Sequence, residues 1–209
     1  MGEFYRNFVK RLLDVCVAIT MGIILSWLLA IVAILVKFTS EGPILFKQER
    51  FGLNSKPFIL YKFRTMTNGA PVKANSEFEN ITSYVTPFGM VIRKTSIDEL
   101  PQLLNIIKGD MSFIGPRPLA ITDEKVLVLR KKNGADRVRP GISGLAQVNG
   151  RNNITDENKA AYDAKYANQL GLRLDIILLV ETLISVIKRD GIFKTKELTT
   201  LNKDTLNND

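Results

Sequence analysis

The adjacent carboxylates Asp98 and Glu99 are the side chains of this chain best suited to chemistry. They stand at the start of a predicted helix, where the helix dipole would keep a carboxylate ionised and able to act as a nucleophile. The second carboxylate of such a pair can bind Mg²⁺ through its oxygens. The structural alternative is equally concrete, because Ser96 to Glu99 also matches the S-x-x-E capping box of an ordinary helix start.

The amino-acid composition narrows the chemistry further. The 209 residues include no histidine, which excludes Ser-His-Asp catalysis, histidine metal sites and histidine proton shuttles. The single cysteine, Cys16, lies in an apolar run, so neither a disulfide framework nor a zinc–cysteine site is expected. A carboxylate that attacks phosphorus is therefore a reasonable candidate nucleophile.

Arginines in proline- and glycine-rich segments are candidates for binding anions, in keeping with a net charge of +8. In Pro116-Arg117-Pro118, two prolines fix the backbone around one guanidinium, which suits phosphate binding; an exposed structural turn is the alternative. Arg137, Arg139 and Arg151 lie near glycines that would let a diphosphate approach the backbone. For Arg137 and Arg139, a basic loop facing anionic lipid headgroups explains the sequence equally well.

An uncharged segment near the N-terminus predicts insertion into a membrane. As one helix, the 22 residues from Val15 to Val36 would extend about 33 Å, enough to cross a bilayer. Basic residues flank both ends of the segment, although positive charge marks only the cytoplasmic side. A re-entrant helix that returns to the same face would satisfy both flanks, and a serine such as Ser26 can bend a helix. A straight span with one tolerated serine is the equal alternative on these residues alone.

The remainder of the chain predicts a mostly helical α+β fold with short strands. We expect two extended segments around the turn at 52–55, a polar loop over 68–86, and helices over 87–94 and 96–108. Two further helices, about 155–169 and 173–189, close the fold. Charged residues interrupt the second of these, so it packs in the core or lies on the membrane surface.

Four motifs in order carry a resemblance to a known family. They are KFRTM at 62–66, SIDELPQLLN at 96–105, KGDMSFIGPRP at 108–118 and RPGISGLAQVNGR at 139–151. Together they closely resemble the bacterial sugar transferase family, the small monotopic phosphoglycosyl transferases. The likeness runs from about residue 4 to residue 190, and four long motifs in one order are highly specific.

The resemblance implies an activity. Enzymes of this kind transfer a phosphosugar from a nucleotide diphosphate sugar, usually a UDP-sugar, to undecaprenyl phosphate. In the family, an aspartate attacks the sugar-bearing phosphate, releases UMP and forms a covalent aspartyl phosphosugar. Undecaprenyl phosphate then attacks that intermediate. The reaction is the first membrane step in building a surface glycan such as an exopolysaccharide, capsule, O-antigen or glycoprotein.

The resemblance also implies the roles of individual residues. By motif, Asp98 is the nucleophile and Glu99 helps to bind Mg²⁺, the expected cofactor. Arg93, five residues before the nucleophile, matches an active-site arginine of the family. Arg117 and Arg151 match arginines near the phosphates of the nucleotide sugar. The remaining substrate-binding candidates, each within a motif, are Lys62 and Arg139.

The family further implies an arrangement at the bacterial inner membrane. Residues 1–36 would form a re-entrant membrane helix, 37–193 a catalytic domain with amphipathic interfacial helices on the cytoplasmic face, and 194–209 a polar tail. One departure weakens the re-entrant topology. Small members of the family have a Ser-Pro pair at the helix break, whereas this chain has Ser26-Trp27 and so lacks the proline.

Two other functional classes compete with this interpretation. An ordinary membrane-bound glycosyltransferase would release UDP instead of UMP and form no adduct with the protein. A non-enzymatic basic membrane module would bind anionic lipid without any dependence on Asp98. Nucleic-acid binding is not expected, because only the net charge favours it. The sequence is compatible with a homo-oligomer and does not specify the sugar.

Overall fold

The computed structural model describes residues 2–67, 69–70, 81–150 and 154–187. The chain begins with helical residues Gly2–Phe4 and a π-helical segment Tyr5–Val9, which lead into α1 (Lys10–Ile24) and α2 (Ser26–Thr39). Among the described residues, no single helix has the length and hydropathy to cross a membrane. Tyr5–Ile24 and Ser26–Thr39 meet these criteria only as a pair, which is bent by 65°.

The bend lies at Leu25, one residue before the serine at which the sequence suggested it. Leu25 has φ −92° and ψ 6°, outside the α-helical region. Its N–H still donates to the Met21 carbonyl at 2.8 Å, and its carbonyl accepts from the Leu29 N–H at 2.9 Å. The N–H and the carbonyl of Leu25 thus both stay hydrogen-bonded, and the chain turns here without a proline.

One side of the bent helix pair packs on the rest of the protein, and the opposite side is exposed. Ala18 of α1 lies in a cluster with Leu60, Leu103, Ile106 and Met111. Val32 and Val36 of α2 contact a second cluster around Phe63 and Ile92. The opposite side exposes large apolar side chains, among them Val17, Ile19, Ile23, Ile24, Trp27, Ile31 and Ile34.

A β-hairpin follows the bent pair, as predicted. β1 (Leu45–Phe51) and β2 (Pro57–Phe63) pair antiparallel, with Phe46 opposite Lys62 and Arg50 opposite Phe58. The 3₁₀ turn Leu53–Ser55 joins them, and Asn54 adopts the left-handed conformation with φ 54°. Asparagine tolerates that region better than most residues, which explains why it occupies the turn.

The next helices present the candidate carboxylates. α3 (Pro87–Lys94) begins at Thr86, whose hydroxyl accepts from the Gly89 N–H at 2.9 Å, and it confirms the helix predicted over 87–94. The helix predicted from Ser96 starts instead as a 3₁₀ segment, Ile97–Gln102, and becomes α-helical only in α4 (Leu103–Lys108). Most of the predicted loop over 68–86 lies outside the described residues; within it, Ile81–Tyr84 forms a 3₁₀ turn.

The C-terminal half packs helices against a short parallel pair of strands, β3 (Ser112–Ile114) and β4 (Gly141–Ser143). A Cβ on Gly141 would lie 2.1 Å from the Gly115 nitrogen, so only glycine permits this backbone approach. The helices of this half are α5 (Glu124–Asn133), α6 (Leu145–Val148), α7 (Asp156–Gln169) and α8 (Leu172–Ile187).

The last two helices confirm the two predicted at the end of the chain, and the whole is a mostly helical α+β fold, as expected. Leu178 of α8 is buried in a cluster with Ile114, Val138 and Tyr166. The outer side of α8 exposes Leu172, Ile176, Ile177, Leu179, Val180, Leu183 and Ile184. The predicted polar tail over 194–209 lies outside the described residues.

Candidate active site

Asp98 sits in the 3₁₀ segment with only 8% of its surface exposed. The residue before this segment, Ser96, has φ 57° and makes no side-chain hydrogen bond to the helix start. The capping box that offered a purely structural explanation of Ser96 to Glu99 is therefore not formed. Asp98 is held at its position by the turn itself, with Pro101 inside the segment restricting the backbone.

Two neighbouring elements bring positive charge to this carboxylate pair. Lys62 extends from the end of β2, and its Nζ lies 2.6 Å from Glu99 Oε1. Arg93 comes from the last turn of α3, where its Nε donates to Thr65 Oγ1 at 2.8 Å. Each of these charges also acts on Asp98. The structure thus brings together four of the predicted site residues.

The environment of Asp98 adjusts its protonation. Burial raises the pKa of Asp98 to about 6; Lys62 and Arg93 lower that pKa, whereas Glu99 raises it. Burial thus outweighs the dipole effect that the sequence suggested. At pH 7, one unit above this pKa, about 90% of Asp98 is still ionised. Within the part of the chain that the structure describes, no side chain hydrogen-bonds to Asp98; its own backbone N–H donates to the carboxylate, and the remaining lone pairs are available to an electrophile.

A buried amide holds the Asp98 segment against the hairpin. Asn105 is fully buried, donates from Nδ2 to the Ile59 carbonyl at 2.6 Å and accepts at Oδ1 from the Tyr61 N–H at 3.1 Å. These bonds fix α4, and with it Asp98, to the β2 backbone one residue from Lys62. The sequence offered a weak signal of this role, because asparagine is unfavourable inside a helix unless its amide is used.

Arg117 is exposed on the segment between β3 and α5, as expected for an anion-binding side chain. A second arginine fixes its backbone: Arg130 Nη1 donates to the Arg117 carbonyl at 2.9 Å. The Arg130 guanidinium is buried and meets Asp163 Oδ2 at 2.6 Å from Nη2 and at 2.8 Å from Nε. Spacing alone does not reveal this pair, because the two residues are 33 positions apart.

Arg50 links the carboxylate pair with Arg117. Alternate residues of a strand share a face, so the register places Arg50 and Lys62 on the same face of the hairpin, about 13 Å apart. Burial and the charge of nearby Arg117 lower the pKa of Arg50, and Asp123 Oδ2 lies 4.0 Å from its Nη1. Lys62 thus lies beside the carboxylate pair at one end of this face, and Arg50 lies near Arg117 at the other end. Sequence reasoning did not identify Arg50.

The remaining predicted residues lie elsewhere. Arg139 donates from Nε to the Gly109 carbonyl at 2.9 Å, at the far end of α4 from Asp98. Arg137 is exposed, and Arg151 lies outside the described residues. The described part of the chain contains no group of three or more carboxylate or cysteine side chains that could hold a metal ion. Mg²⁺ is usually bound by one or two carboxylates together with substrate phosphates and water, so the carboxylate of Glu99 fits as the protein donor.

Comparison with known proteins identifies relatives over nearly the whole chain. A model of the family described as bacterial sugar transferase matches residues 5–189. The uncharacterized sugar transferase EpsL of Bacillus subtilis (strain 168) is 42% identical over 190 residues, which cover 91% of this chain and 93% of that protein. The exopolysaccharide production protein ExoY of Sinorhizobium fredii is 39% identical over 197 residues, 87% of each chain.

A further relative has a name that states its reaction. The UDP-glucose:undecaprenyl-phosphate glucose-1-phosphate transferase of Caulobacter vibrioides is 36% identical over 191 residues. The similar region covers 88% of this chain and 72% of that protein.

Proposed function

This chain belongs to the bacterial sugar transferase family, and we propose that it transfers a sugar 1-phosphate from a UDP-sugar to undecaprenyl phosphate with release of UMP. The chain is a transferase, and the name of its Caulobacter relative supplies the class of donor and acceptor. The reaction starts a surface glycan, in keeping with the name of its Sinorhizobium relative.

The observation that carries the mechanism is the state of Asp98. Its carboxylate is buried, mostly ionised at neutral pH, flanked by Lys62 and Arg93, and without a side-chain hydrogen bond in the described residues. A carboxylate with these properties can act as a nucleophile, because no other side chain occupies its lone pairs. A purely structural aspartate at the same depth would be expected to use its oxygens as hydrogen-bond acceptors.

The chemistry consists of two displacements at phosphorus. Asp98 Oδ forms a bond to the sugar-bearing phosphorus of the UDP-sugar as the bond from that phosphorus to the UMP oxygen breaks. An oxygen of undecaprenyl phosphate then bonds to the same phosphorus, which breaks the acyl phosphate bond and frees Asp98. The products are UMP and undecaprenyl diphosphosugar. Dividing the transfer in this way means that the two anionic substrates never have to react directly with each other.

The cations around Asp98 make the first displacement feasible. A diphosphate repels a carboxylate, and the guanidinium of Arg93 and the ammonium of Lys62 offset that repulsion. Arg50 lies on the same hairpin face as Lys62, and Arg117 lies near Arg50, so the two can bind the nucleotide end of the donor. Arg151 and Arg139 are the remaining predicted substrate-binding residues, and Arg139 lies apart from the Asp98 site, at the far end of α4.

Glu99, together with the donor diphosphate, would hold the Mg²⁺ of this proposal. When bound, the ion would supply positive charge that stabilises the diphosphate leaving group. Glu99 is 2.6 Å from Lys62 Nζ, so Lys62 restrains the carboxylate in the absence of the donor.

We propose that the bent helix pair inserts into the cytoplasmic face of the bacterial inner membrane as a re-entrant element. The 65° bend, the exposed apolar side chains of both helices and the basic flanks at both ends support this topology. A re-entrant pair leaves the catalytic residues on the side where a water-soluble donor can meet a lipid acceptor.

Nucleotide release tests the proposal directly. Detergent-solubilised protein is mixed with Mg²⁺, undecaprenyl phosphate and a panel of UDP-sugars, and the released nucleotide is identified. We expect UMP with at least one sugar and no UMP from Asp98→Asn. Release of UDP would instead establish an ordinary glycosyltransferase and overturn the covalent mechanism.

A second measurement isolates the covalent step. With the active UDP-sugar but no acceptor, intact-mass spectrometry should show a protein heavier by one phosphosugar, and Asp98→Asn should show no such species. Asp136→Asn is the matched control, because Asp136 accepts a hydrogen bond from Ser55 at 3.1 Å and takes no part in the proposed reaction. An adduct that persists in Asp98→Asn would refute Asp98 as the nucleophile.

A further inference from the structure

A shallow basic pocket lies between the N-terminal helix and the loop before β4, apart from the Asp98 site. Its polar lining consists of Arg6, Lys10, Arg11, Asp14, Ser112 and Arg139. Arg11 reaches the carbonyls of Ile106 and Ile107, the second at 2.9 Å, at the end of α4. Because Asp98 lies at the other end of this 3₁₀–α4 segment, the pocket and the carboxylate pair are separate sites.

The pocket has more positive than negative charge. Lys10 is neutralised by Asp175, whose Oδ2 lies 2.7 Å from its Nζ. Three guanidiniums then line the pocket together with one carboxylate, that of Asp14. Arg6 also contacts Glu3 at 3.5 Å, but 87% of the Glu3 side chain is exposed, so water screens this pair strongly.

The guanidiniums keep donors free for a ligand. Arg139 uses Nε for the Gly109 carbonyl, and Arg11 bonds only to carbonyl oxygens, so neither has a carboxylate hydrogen-bond partner among the described residues. Burial and the charges of Arg11 and Arg6 lower the pKa of Arg139. Crowding three guanidiniums costs free energy that an anion bound between them would offset.

The position of the pocket indicates where that anion comes from. Its residues on α1 immediately precede the uncharged run that starts at Val15. Leu12 and Leu13 are exposed on α1, and Phe4 and Phe8 are exposed on the helical residues before it. On the other side the pocket is bounded by Leu170, two residues before the exposed apolar face of α8. In the membrane topology proposed above, a pocket between two apolar faces, at the point where the chain becomes charged, would lie at the depth of lipid headgroups.

We propose that this pocket binds the phosphodiester headgroup of an anionic phospholipid and so anchors the bent helix pair at a fixed depth. The assignment relies on the membrane insertion proposed above, but not on the transfer reaction. Arg6 and Arg11 hold the phosphate from the helix, and Arg139 holds it from the catalytic domain. One lipid molecule thereby connects the two parts of the protein.

Lipid retention by the full-length protein in detergent tests the proposal. Native mass spectrometry compares bound phosphatidylglycerol with bound phosphatidylcholine, without any nucleotide sugar. We expect one phosphatidylglycerol to be retained about tenfold more strongly than phosphatidylcholine. Arg6→Gln should weaken that retention about fivefold, as expected for one basic residue at an anionic membrane surface. Lys37→Gln is the matched control, because Lys37 is exposed at the other end of the apolar run and should retain wild-type binding.

The remaining arms distinguish the sources of phosphate. Equal retention of the two lipids, or equal loss in the Arg6 and Lys37 variants, would overturn the proposal. If inorganic phosphate raised the thermal midpoint as much as phosphatidylglycerol, the pocket would belong to a free phosphoryl ligand. If equimolar undecaprenyl phosphate displaced the phosphatidylglycerol, the pocket would be the binding site of the acceptor. Because no transfer is measured, failure here is separate from failure of the proposed function.

Discussion

Asp98 and Asp175 are buried to the same extent, each with 8% of its surface exposed, but their oxygens are used in opposite ways. Asp175 Oδ2 accepts from Lys10 Nζ at 2.7 Å and from the Tyr5 hydroxyl at 2.8 Å. Its Oδ1 accepts from the Tyr166 hydroxyl at 2.7 Å. Asp98 accepts no side-chain hydrogen bond in the described residues.

The difference matches the proposed roles, in which Asp175 is structural and Asp98 is the nucleophile. Asp175 lies on α8 and ties that helix to the N-terminal helix, so all of its bonds connect elements. Burial and Asp175 raise the pKa of Tyr166, which therefore stays a hydrogen-bond donor. Lys62, which lies near Asp98, forms its ion pair with Glu99 instead. The charge of Lys62 therefore acts on Asp98, but its ammonium donates no hydrogen bond to Asp98.

The largest expected effect separates the two aspartates by activity. Asp98→Asn should lower transfer about 10³-fold or more, because an amide cannot form the acyl phosphate. The measurement is UMP release, with folding checked by thermal unfolding. Residual activity within tenfold of wild type would remove Asp98 from the proposed chemistry.

The same exchange at Asp175 should act on stability instead. Asp175→Asn leaves buried Lys10 without its counter-charge, and we expect a loss of about 3–5 kcal/mol in the free energy of unfolding. Unfolding in detergent, followed by circular dichroism, measures the change at pH 7. If Asp98→Asn proved equally destabilising, the distinction between a structural and a reactive aspartate would be lost.

Protonation sharpens the comparison further. With the pKa of Asp98 near 6, kcat/KM should fall as the pH drops through 6 and decrease about tenfold per unit below 5. A profile that stays flat down to pH 4.5 would show that the reaction does not need the ionised form of Asp98. In the profile of kcat, which reports the enzyme–substrate complex, substrate phosphates would move the midpoint up and a bound cation would move it down.

The stability of the protein should follow the same titration with the opposite sign. Because the folded pKa lies above the ordinary 3.8, the folded state holds the proton more tightly, and stability is lost as the pH rises from about 4 to 6. Asp98→Asn lacks this titration and should exceed wild type by about 1–3 kcal/mol at pH 7. The advantage should shrink towards pH 4, and an advantage that is constant with pH would contradict the assigned pKa.

The sequence predicted the elements around Asp98 better than those around Asp175. Asp98 lies in a contiguous motif, and the elements around it follow from local patterns, such as the hairpin turn at Asn54 and the start of α3 at Thr86. The bend at Leu25 was expected near Ser26, but nothing local distinguishes a bent pair from a straight helix. From the sequence, Asp175 is predicted only to be one of the charged residues that interrupt the last apolar helix.

The buried polar residues that the sequence did not predict have one feature in common. Asn105, Arg130 and Asp163 act across elements that are far apart in sequence, and their side chains are buried only because the fold brings those elements together. We assign these residues a role because they are buried, and sequence patterns do not show which polar residues are buried. Polar contacts within one turn are readable from spacing, whereas contacts across the core are not.

Asp163, with 1% of its surface exposed, is the site of the smallest expected effect on activity. The test is specific, because Asp163 makes a structural ion pair with Arg130, which in turn contacts the Arg117 segment. Its partner Arg130 also holds the Arg117 carbonyl, so Asp163→Asn should loosen the segment that presents Arg117 to the donor. We expect KM for the UDP-sugar to rise about 3–10-fold while kcat changes little, since Asp98 is not disturbed.

The exposed ion pair of Lys125 and Glu157 provides the control, because it joins the same two helices, α5 and α7, at 2.6 Å. Glu157→Gln should change KM by less than about twofold, as for surface pairs in general. Raising the UDP-sugar concentration should restore the rate of Asp163→Asn but not that of Asp98→Asn. A loss of kcat with unchanged KM in Asp163→Asn would mean that this buried pair supports the chemical step itself, and the line between structural and reactive carboxylates would have to be drawn elsewhere.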